Sequence, residues 1–361
     1  MPDNDDPDVG SDDAGATATA TATAGAGDGL RVAVFGVGAL GARCARQLVS
    51  TPAVSSVLIR DPDRNRTTEV LASLVETSVA DDAGIDDPVD ADVVVLAGPA
   101  GTQLAAARLH LRRGAHIVAT TDDVDEVTGL LALDNEASDL GLSVVVGAGF
   151  APGLTDLLAR HAAARFTEVT EVHVGKVGTG GPACARSHHR ALAGTAIDWR
   201  DGEWIHRPAG SGRELAWFPD PIAARDCYRA ALPDALLLAP EFEGVHRVTA
   251  RLAATRRDRL TSRLPMLRRP HLDGGPGAVR VEVRGMTPQG HDVVVLGAMD
   301  RPAVAGGAVA ALAAVRVADG RARRTGAAGL AGMFDPLPFL LELAERGVRC
   351  AAFDPQVTSE P

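Results

Sequence analysis

The chain has 361 residues, 46% of them hydrophobic and 23% charged, with a formal net charge of −11. That is long enough for two domains or one large core. Residues 1–29 hold seven Asp and no Lys or Arg, so they carry −7 and the remainder only −4, a balance that argues against a nucleic-acid partner. No apolar run reaches the roughly 18–20 residues of a membrane helix, and no basic-then-apolar leader opens the chain. Cys44, Cys184, Cys227 and Cys350 are scattered without a C-x-x-C pair, which excludes a zinc ribbon or redox motif and fits a reducing compartment. The expectation is a cytoplasmic protein with no stable membrane insertion.

In chain order, residues 1–29 read as a disordered tail of Asp followed by an Ala-Thr alternation. From Leu30 the pattern alternates strand and helix. Arg31–Phe35, Ser56–Ile59, Ala91–Leu96, His116–Thr120 and Leu142–Val146 are apolar and β-branched. Ala42–Ser50, Thr67–Thr77, Gln103–Arg113 and Val124–Ser138 have helical spacing. Short continuous apolar strands separated by helices predict an α/β fold with a doubly wound parallel sheet over 30–150. From Ala151 onward the character changes. Pro152–Ala164 reads as a helix, and strands are expected at Glu168–Val174, Val245–Leu252, Val279–Arg284 and Asp292–Gly297. Few crossover helices separate them, so 151–300 is expected to be a second, α+β domain with a mainly antiparallel sheet. Helices at 303–318 and 336–346 are expected to return to the first domain.

The turn Gly36-Val37-Gly38-Ala39-Leu40-Gly41 follows a strand and opens a helix, and Asp61 stands beyond it at the end of the second strand. This is the full context of a dinucleotide-binding fingerprint: glycines for a tight turn and close approach to a pyrophosphate, with the helix N-terminus facing it. Asp61 favours NAD by accepting from ribose hydroxyls. Arg60, Arg64 and Arg66 favour NADP by holding a 2′-phosphate, so NAD and NADP both remain open. Ala97-Gly98-Pro99 and Thr120-Thr121-Asp122-Asp123 follow the next two strands, where ligands of open α/β sheets bind.

The GVGALG turn, the LAGP loop at 96–99, VATTDD at 118–123 and GAGFAPGLTDLLA at 147–159 together resemble the saccharopine dehydrogenase family. The resemblance covers about residues 30–165. It implies a Rossmann domain, a nicotinamide cofactor and a small-molecule substrate whose C–N bond is oxidised or reduced. It also implies that Phe150, Pro152 and Gly153 lie at the substrate. Dehydrogenase chemistry on a carbonyl or alcohol, and a non-enzymatic dinucleotide sensor or scaffold, are the alternatives.

Acid–base candidates are sought in Lys176–Arg190. Lys176 is the only lysine beside 35 Arg, and lysine, unlike arginine, changes protonation state when desolvated. His188 and His189 are candidate proton donors, and Arg186 and Arg190 candidate carboxylate clamps. No Cys, Asp or Glu spacing completes a metal site around the histidines, so no metal is expected. Trp199, Trp204 and Trp217 cluster around a hairpin turn at Asp201-Gly202. In His246–His271, eight Arg stand against Asp258, and Val248, Leu252, Leu260 and Leu264 suggest one apolar side. That basic stretch is compatible with pairing to an acidic surface in a homodimer.

Overall fold

The computed structural model describes residues 29–74, 78–80, 83–84, 87–266 and 269–353. Of the acidic segment at 1–29, only Gly29 is among them. The first half runs β1 (Leu30–Phe35), α1 (Ala39–Val49), β2 (Val54–Arg60), α2 (Arg64–Leu71), β3 (Ser78–Ala80), β4 (Val93–Leu96), α3 (Gln103–Leu111), β5 (His116–Ala119), α4 (Val124–Leu131), α5 (Asp134–Asp139) and β6 (Ser143–Val146). Strands β4 and β6 are buried at every position. Valine runs behave so when helices cover both sheet faces. All pairings are parallel, in the order β3-β2-β1-β4-β5-β6. This is a doubly wound sheet whose direction of winding reverses between β1 and β4, opening a crevice at the carboxyl ends of those strands.

The chain then continues as α6 (Leu154–Ala163), β7 (Glu168–Val177), α7 (Pro182–Ala191), β8 (Thr195–Arg200), β9 (Glu203–Pro208), β10 (Glu214–Phe218), β11 (Ala223–Arg229), α8 (Asp234–Leu238), β12 (Arg247–Ala253), α9 (Arg256–Thr261), β13 (Gly277–Thr287) and β14 (Gly290–Asp300). It closes with α10 (Pro302–Ala318), β15 (Gly326–Ala328), α11 (Leu330–Met333), α12 (Pro336–Glu345) and β16 (Cys350–Phe353). The second sheet has the order β10-β11-β12-β7-β13-β14-β16, with β8 joining β12 and β9. Its pairings are antiparallel except β7 with β12.

Helix α10 explains the Ala- and Gly-rich run that stops at Arg316. It is buried from Pro302 to Val317 except at Val304, and it packs on α1. A Cβ on Gly307 would stand 2.7 Å from Arg43 Cβ and 2.9 Å from the Cys44 amide nitrogen, so only glycine lets the two backbones approach this closely. Strand β15 then adds to β6 in parallel, making the first sheet seven-stranded.

The structure departs from expectation in three places. The single helix expected at 124–138 is two, α4 and α5. Leu133 turns into the core at 3% exposure, and Asp134 is drawn off to accept the Ala327 N–H of β15 at 2.8 Å. The C-terminal region is not helical throughout, because β16 pairs with β14 in the second sheet. Val248 and Leu252 are buried on a strand, while Leu260 and Leu264 are 83% and 56% exposed; the four do not share one side. The hairpin at Asp201-Gly202 is present, with positive φ at both turn residues, the turn that suits strand twist. Trp199 and Trp204 pack edge to face across it at 4.8 Å.

Candidate active site

A cleft of about 480 Å³ lies at the carboxyl ends of β1, β4 and β5, and its far wall comes from β7 and α7. Gly36, Val37, Gly38, Ala39 and Leu40 line one end. Gly36 has φ +89°, and a Cβ there would meet the Gly98 nitrogen at 2.7 Å. Gly41 does not line the cleft. It lies directly beneath the turn, where a Cβ would stand 1.8 Å from the Gly36 carbonyl oxygen, so its role is close helix–strand packing. A Cβ on Gly38 would meet nothing within 4 Å, and helix α1 begins there without a side-chain cap. Its first N–H groups and its positive dipole end therefore face open space. This is the arrangement that holds a pyrophosphate.

Asp61 fixes the edge of this end. Its Oδ2 accepts from the Val37 N–H at 2.8 Å and its Oδ1 from the Asp63 N–H at 2.9 Å. Arg66 pairs with it at 3.3 Å. Arg43, Arg46 and Arg66 line the cleft, but Arg60 does not. Its side chain is 3% exposed and donates to the Asp87 and Pro88 carbonyl oxygens at 2.9 Å. A guanidinium at the last residue of a strand can turn back under the sheet, and this one is a structural clamp rather than a phosphate ligand. Arg64, at the start of α2, is likewise outside the cleft lining.

Ala97, Gly98 and Pro99 line the middle, with Thr120 and Thr121 beyond. Gln103 ties these two loops together: its amide donates to the Gly98 carbonyl at 2.8 Å and accepts from the Thr120 N–H at 3.0 Å. Glu126, buried, accepts from the Gln103 and Leu104 N–H groups at 2.6 and 3.2 Å. It caps α3, which has no capping side chain of its own.

At the inner end, Lys176 on β7 and Cys184, Ser187 and His188 on α7 face Asp122, which follows β5. Lys176 is 3% exposed. Its Nζ donates to the Ala151 carbonyl at 3.0 Å and lies 3.7 Å from Asp122 Oδ2. Asp122 also accepts from Ser187 Oγ at 2.8 Å and lies 3.3 Å from His188 Nε2. Cys184 Sγ is 3.6 Å from the same Nε2. Burial pulls the His188 imidazole down, but the Cys184 sulfur and the Asp122 carboxylate outweigh it and raise its pKa to about 9. Burial pushes Asp122 and Cys184 up; His188 and Lys176 overcome this for Asp122, and His188 for Cys184, leaving both below their usual ranges.

Of the remaining expected site residues, Phe150, Pro152 and Arg186 line the cleft. Gly153 does not. Its φ of +119° carries the chain into α6, and a Cβ there would run into Gly149. His189 and Arg190 fall on other faces of α7. The His189 Nε2 bonds the Leu264 carbonyl oxygen at 2.9 Å, and Arg190 is exposed outside the cleft. Successive helical residues point about 100° apart, so His188 and His189 cannot both face one site. The sequence marks Asp122 only as part of the loop after β5 and Cys184 only as one of four scattered cysteines. The available signal was the i, i+4 spacing of Cys184 and His188 on one helix.

No family model matches the chain. Among solved structures, the L-Glu-forming saccharopine dehydrogenase of Saccharomyces cerevisiae aligns over 90% of this chain and 100% of its own, with a TM-score of 0.65 and 14% identity. In fold, the chain is similar to a saccharopine dehydrogenase. The diaminopimelate (DAP) dehydrogenase of C. glutamicum aligns over 88% of this chain and 98% of its own, at a TM-score of 0.47 and 18% identity. Among the described residues no helix is long and apolar enough to cross a membrane.

Proposed function

We propose that the chain is an NAD(P)-dependent oxidoreductase that reduces or oxidises the C–N bond of an amino-acid-derived substrate. One observation carries this reading. A single cleft joins a glycine turn and uncapped helix N-terminus to a cluster of Lys176, Asp122 and His188. The similarity to a saccharopine dehydrogenase fold directs the choice towards a C–N bond.

The dinucleotide, when bound, supplies or accepts the hydride. Gly36–Leu40 would hold its pyrophosphate, and Asp61 would accept from its adenosine ribose. Because Asp61 is fixed by two backbone N–H groups and Arg60 is committed elsewhere, NAD(H) is the preferred form. Phe150 and Pro152 shield the reacting carbon from water. Lys176 Nζ, aimed by the Ala151 carbonyl and offset by Asp122, delivers the proton to the substrate nitrogen in reduction and takes it back in oxidation. The balance is imine plus NAD(P)H plus a proton giving amine plus NAD(P)+. Arg186, at the exposed lip, pairs with a substrate carboxylate.

The test is a fluorescence titration with NADH and NADPH of the wild-type protein and of Gly38→Asp, which enters open space but sets a carboxylate against the pyrophosphate. The expected result is binding of the cofactor, lost in the variant, followed by turnover in a screen of amino acids and their imines. A folded wild-type protein that binds neither nucleotide overturns the reading. Binding without turnover on any C–N, carbonyl or alcohol substrate favours the sensor.

A further inference from the structure

At the inner end of the cleft, the thiol of Cys184, to which the proposed hydride and proton transfers give no role, stands beside Asp122 and His188. Asp122, Cys184 and His188 bring an oxygen, a sulfur and a nitrogen to within 4.8 Å of one another. We propose that these three residues form a binding site for a divalent zinc-type cation, with its fourth position open to the cleft. Its ligands would be Asp122 Oδ2, Cys184 Sγ and His188 Nε2.

The first argument is convergence. In a proton relay the partners of a histidine occupy opposite ring nitrogens. Here Cys184 Sγ at 3.6 Å and Asp122 Oδ2 at 3.3 Å both face the same atom, His188 Nε2. One N–H can point squarely at only one of them. Three donor atoms of different residues within 4.8 Å of one another instead suit the coordination of one cation.

The second argument is metric. A tetrahedral zinc with bonds of about 2.3 Å to sulfur and about 2.0–2.1 Å to nitrogen and oxygen separates nitrogen from sulfur by about 3.5 Å, and nitrogen from oxygen by about 3.3 Å. The nitrogen–sulfur and nitrogen–oxygen separations present without any ion are 3.6 and 3.3 Å, and all three donor atoms lie within 4.8 Å of one another.

The third argument is chemical. Once the ion has displaced the His188 proton, one thiolate, one carboxylate and one neutral imidazole balance a 2+ charge. A mixed sulfur and nitrogen set selects zinc over magnesium or calcium, which prefer oxygen. The second shell is in place as well. Ser187 Oγ donates to the other Asp122 oxygen at 2.8 Å, which fixes the carboxylate's orientation. Lys176 is not a ligand. Its ammonium, bonded to the Ala151 carbonyl, lies beside Asp122 and lowers the site's affinity below that of a set without a neighbouring cation. Since all three ligands line the cleft, the fourth position is filled by water or by a donor atom of the substrate. The ion would then polarise the bond beside which the nicotinamide lies.

The site is tested on full-length, tag-free protein carrying Cys350→Ser, which removes the exposed thiol, after dialysis against a chelator. Cobalt(II) is titrated as the probe and displaced with zinc. The expected result is one equivalent bound, with a sulfur-to-cobalt charge-transfer band and the strong visible bands of four-coordinate cobalt. Cys184→Ser should abolish the charge-transfer band. His188→Gln and Asp122→Asn should weaken binding at least about tenfold, and Ser187→Ala about tenfold through the second shell. NADH binding and circular dichroism, read on every variant, establish that each is folded.

No stoichiometric binding by the wild-type protein overturns the site. So does cobalt bound without a thiolate band, or binding unchanged in folded Cys184→Ser. NADH binding of the metal-free protein is scored separately. Failure to bind nucleotide counts against the oxidoreductase reading alone, and failure to bind cobalt counts against the cation site alone.

Discussion

Replacing Asp61 by Asn tests the cofactor end of the cleft at one atom pair. The carboxylate is 6% exposed and accepts from the Val37 and Asp63 N–H groups. Asn keeps an acceptor oxygen for Val37 at nearly the same volume, so the turn should survive. What disappears is a fixed negative charge where the proposed seating puts the 2′-substituent of the adenosine ribose. At ~4 Å and an effective dielectric of ~20, two like unit charges repel by about 4 kcal/mol. Screening in an open, hydrated cleft reduces this to about 1.4–2.7 kcal/mol, or about 10–100-fold in relative affinity. Arg66, 46% exposed and paired with Asp61, is released at the same time and becomes available to a phosphate. Kd values for NADH and NADPH, measured by fluorescence at one ionic strength, should show the wild-type protein preferring NADH. The NADPH-to-NADH affinity ratio should rise about 10–100-fold in the variant and fall back as salt is raised. An unchanged ratio in a folded variant would refute the placement of the ribose against Asp61.

Three further outcomes are expected. Gly307→Val forces a branched side chain into the α1–α10 contact, where Cβ alone already stands 2.7 Å from Arg43 Cβ. It should lower stability by about 2–3 kcal/mol, measured by urea denaturation. Lys176→Met should reduce turnover by about a hundredfold or more while leaving the NADH Kd within about twofold, because Lys176 lies away from the glycine turn; a large change in Kd with turnover intact would reverse its assignment. Burial, and then the Asp234 carboxylate, raise the Asp156 carboxyl well above its usual value of 3.8. A raised carboxyl contributes its stability below the unfolded pKa and loses it as pH climbs from about 4 towards the folded value, by up to about 1.4 kcal/mol per pH unit. Relative to Asp156→Asn, the wild-type protein should therefore weaken steadily over that window; parallel denaturation curves would count against it.

The first sheet was legible because its signals are local. Runs such as Val93–Leu96 and Ser143–Val146 can be buried on both faces only in a covered parallel sheet, and the glycine turn carries its purpose in adjacent residues. The second sheet was legible as mainly antiparallel, but the parallel β7–β12 pair was not, since its partners are separated by two hairpins and α7. At the candidate site, Lys176 and His188 were found by residue type and spacing. Asp122 was legible only as part of a loop near the cofactor, because α4, α5, β6 and α6 intervene between it and the strand that carries Lys176, and nothing near it in sequence shows that two layers meet there. Arg60 was misplaced for the opposite reason. Its neighbourhood resembled a phosphate site, yet the side chain satisfies carbonyl oxygens that sequence cannot position.

The packing of α10 against α1 has a consequence for the time order of synthesis. When a ribosome has delivered the glycine turn and all the strands up to β6, the α1 surface around Leu40, Arg43 and Cys44, against which Gly306 and Gly307 of α10 pack, still lacks its cover. That cover is encoded far downstream in the message, beyond all but the last strand of the second sheet. The half built on the first sheet therefore cannot complete its packing as it emerges. It waits, partly unroofed, until the C-terminal part of the polypeptide arrives, and termination before Pro302 would leave this face of α1 without its cover.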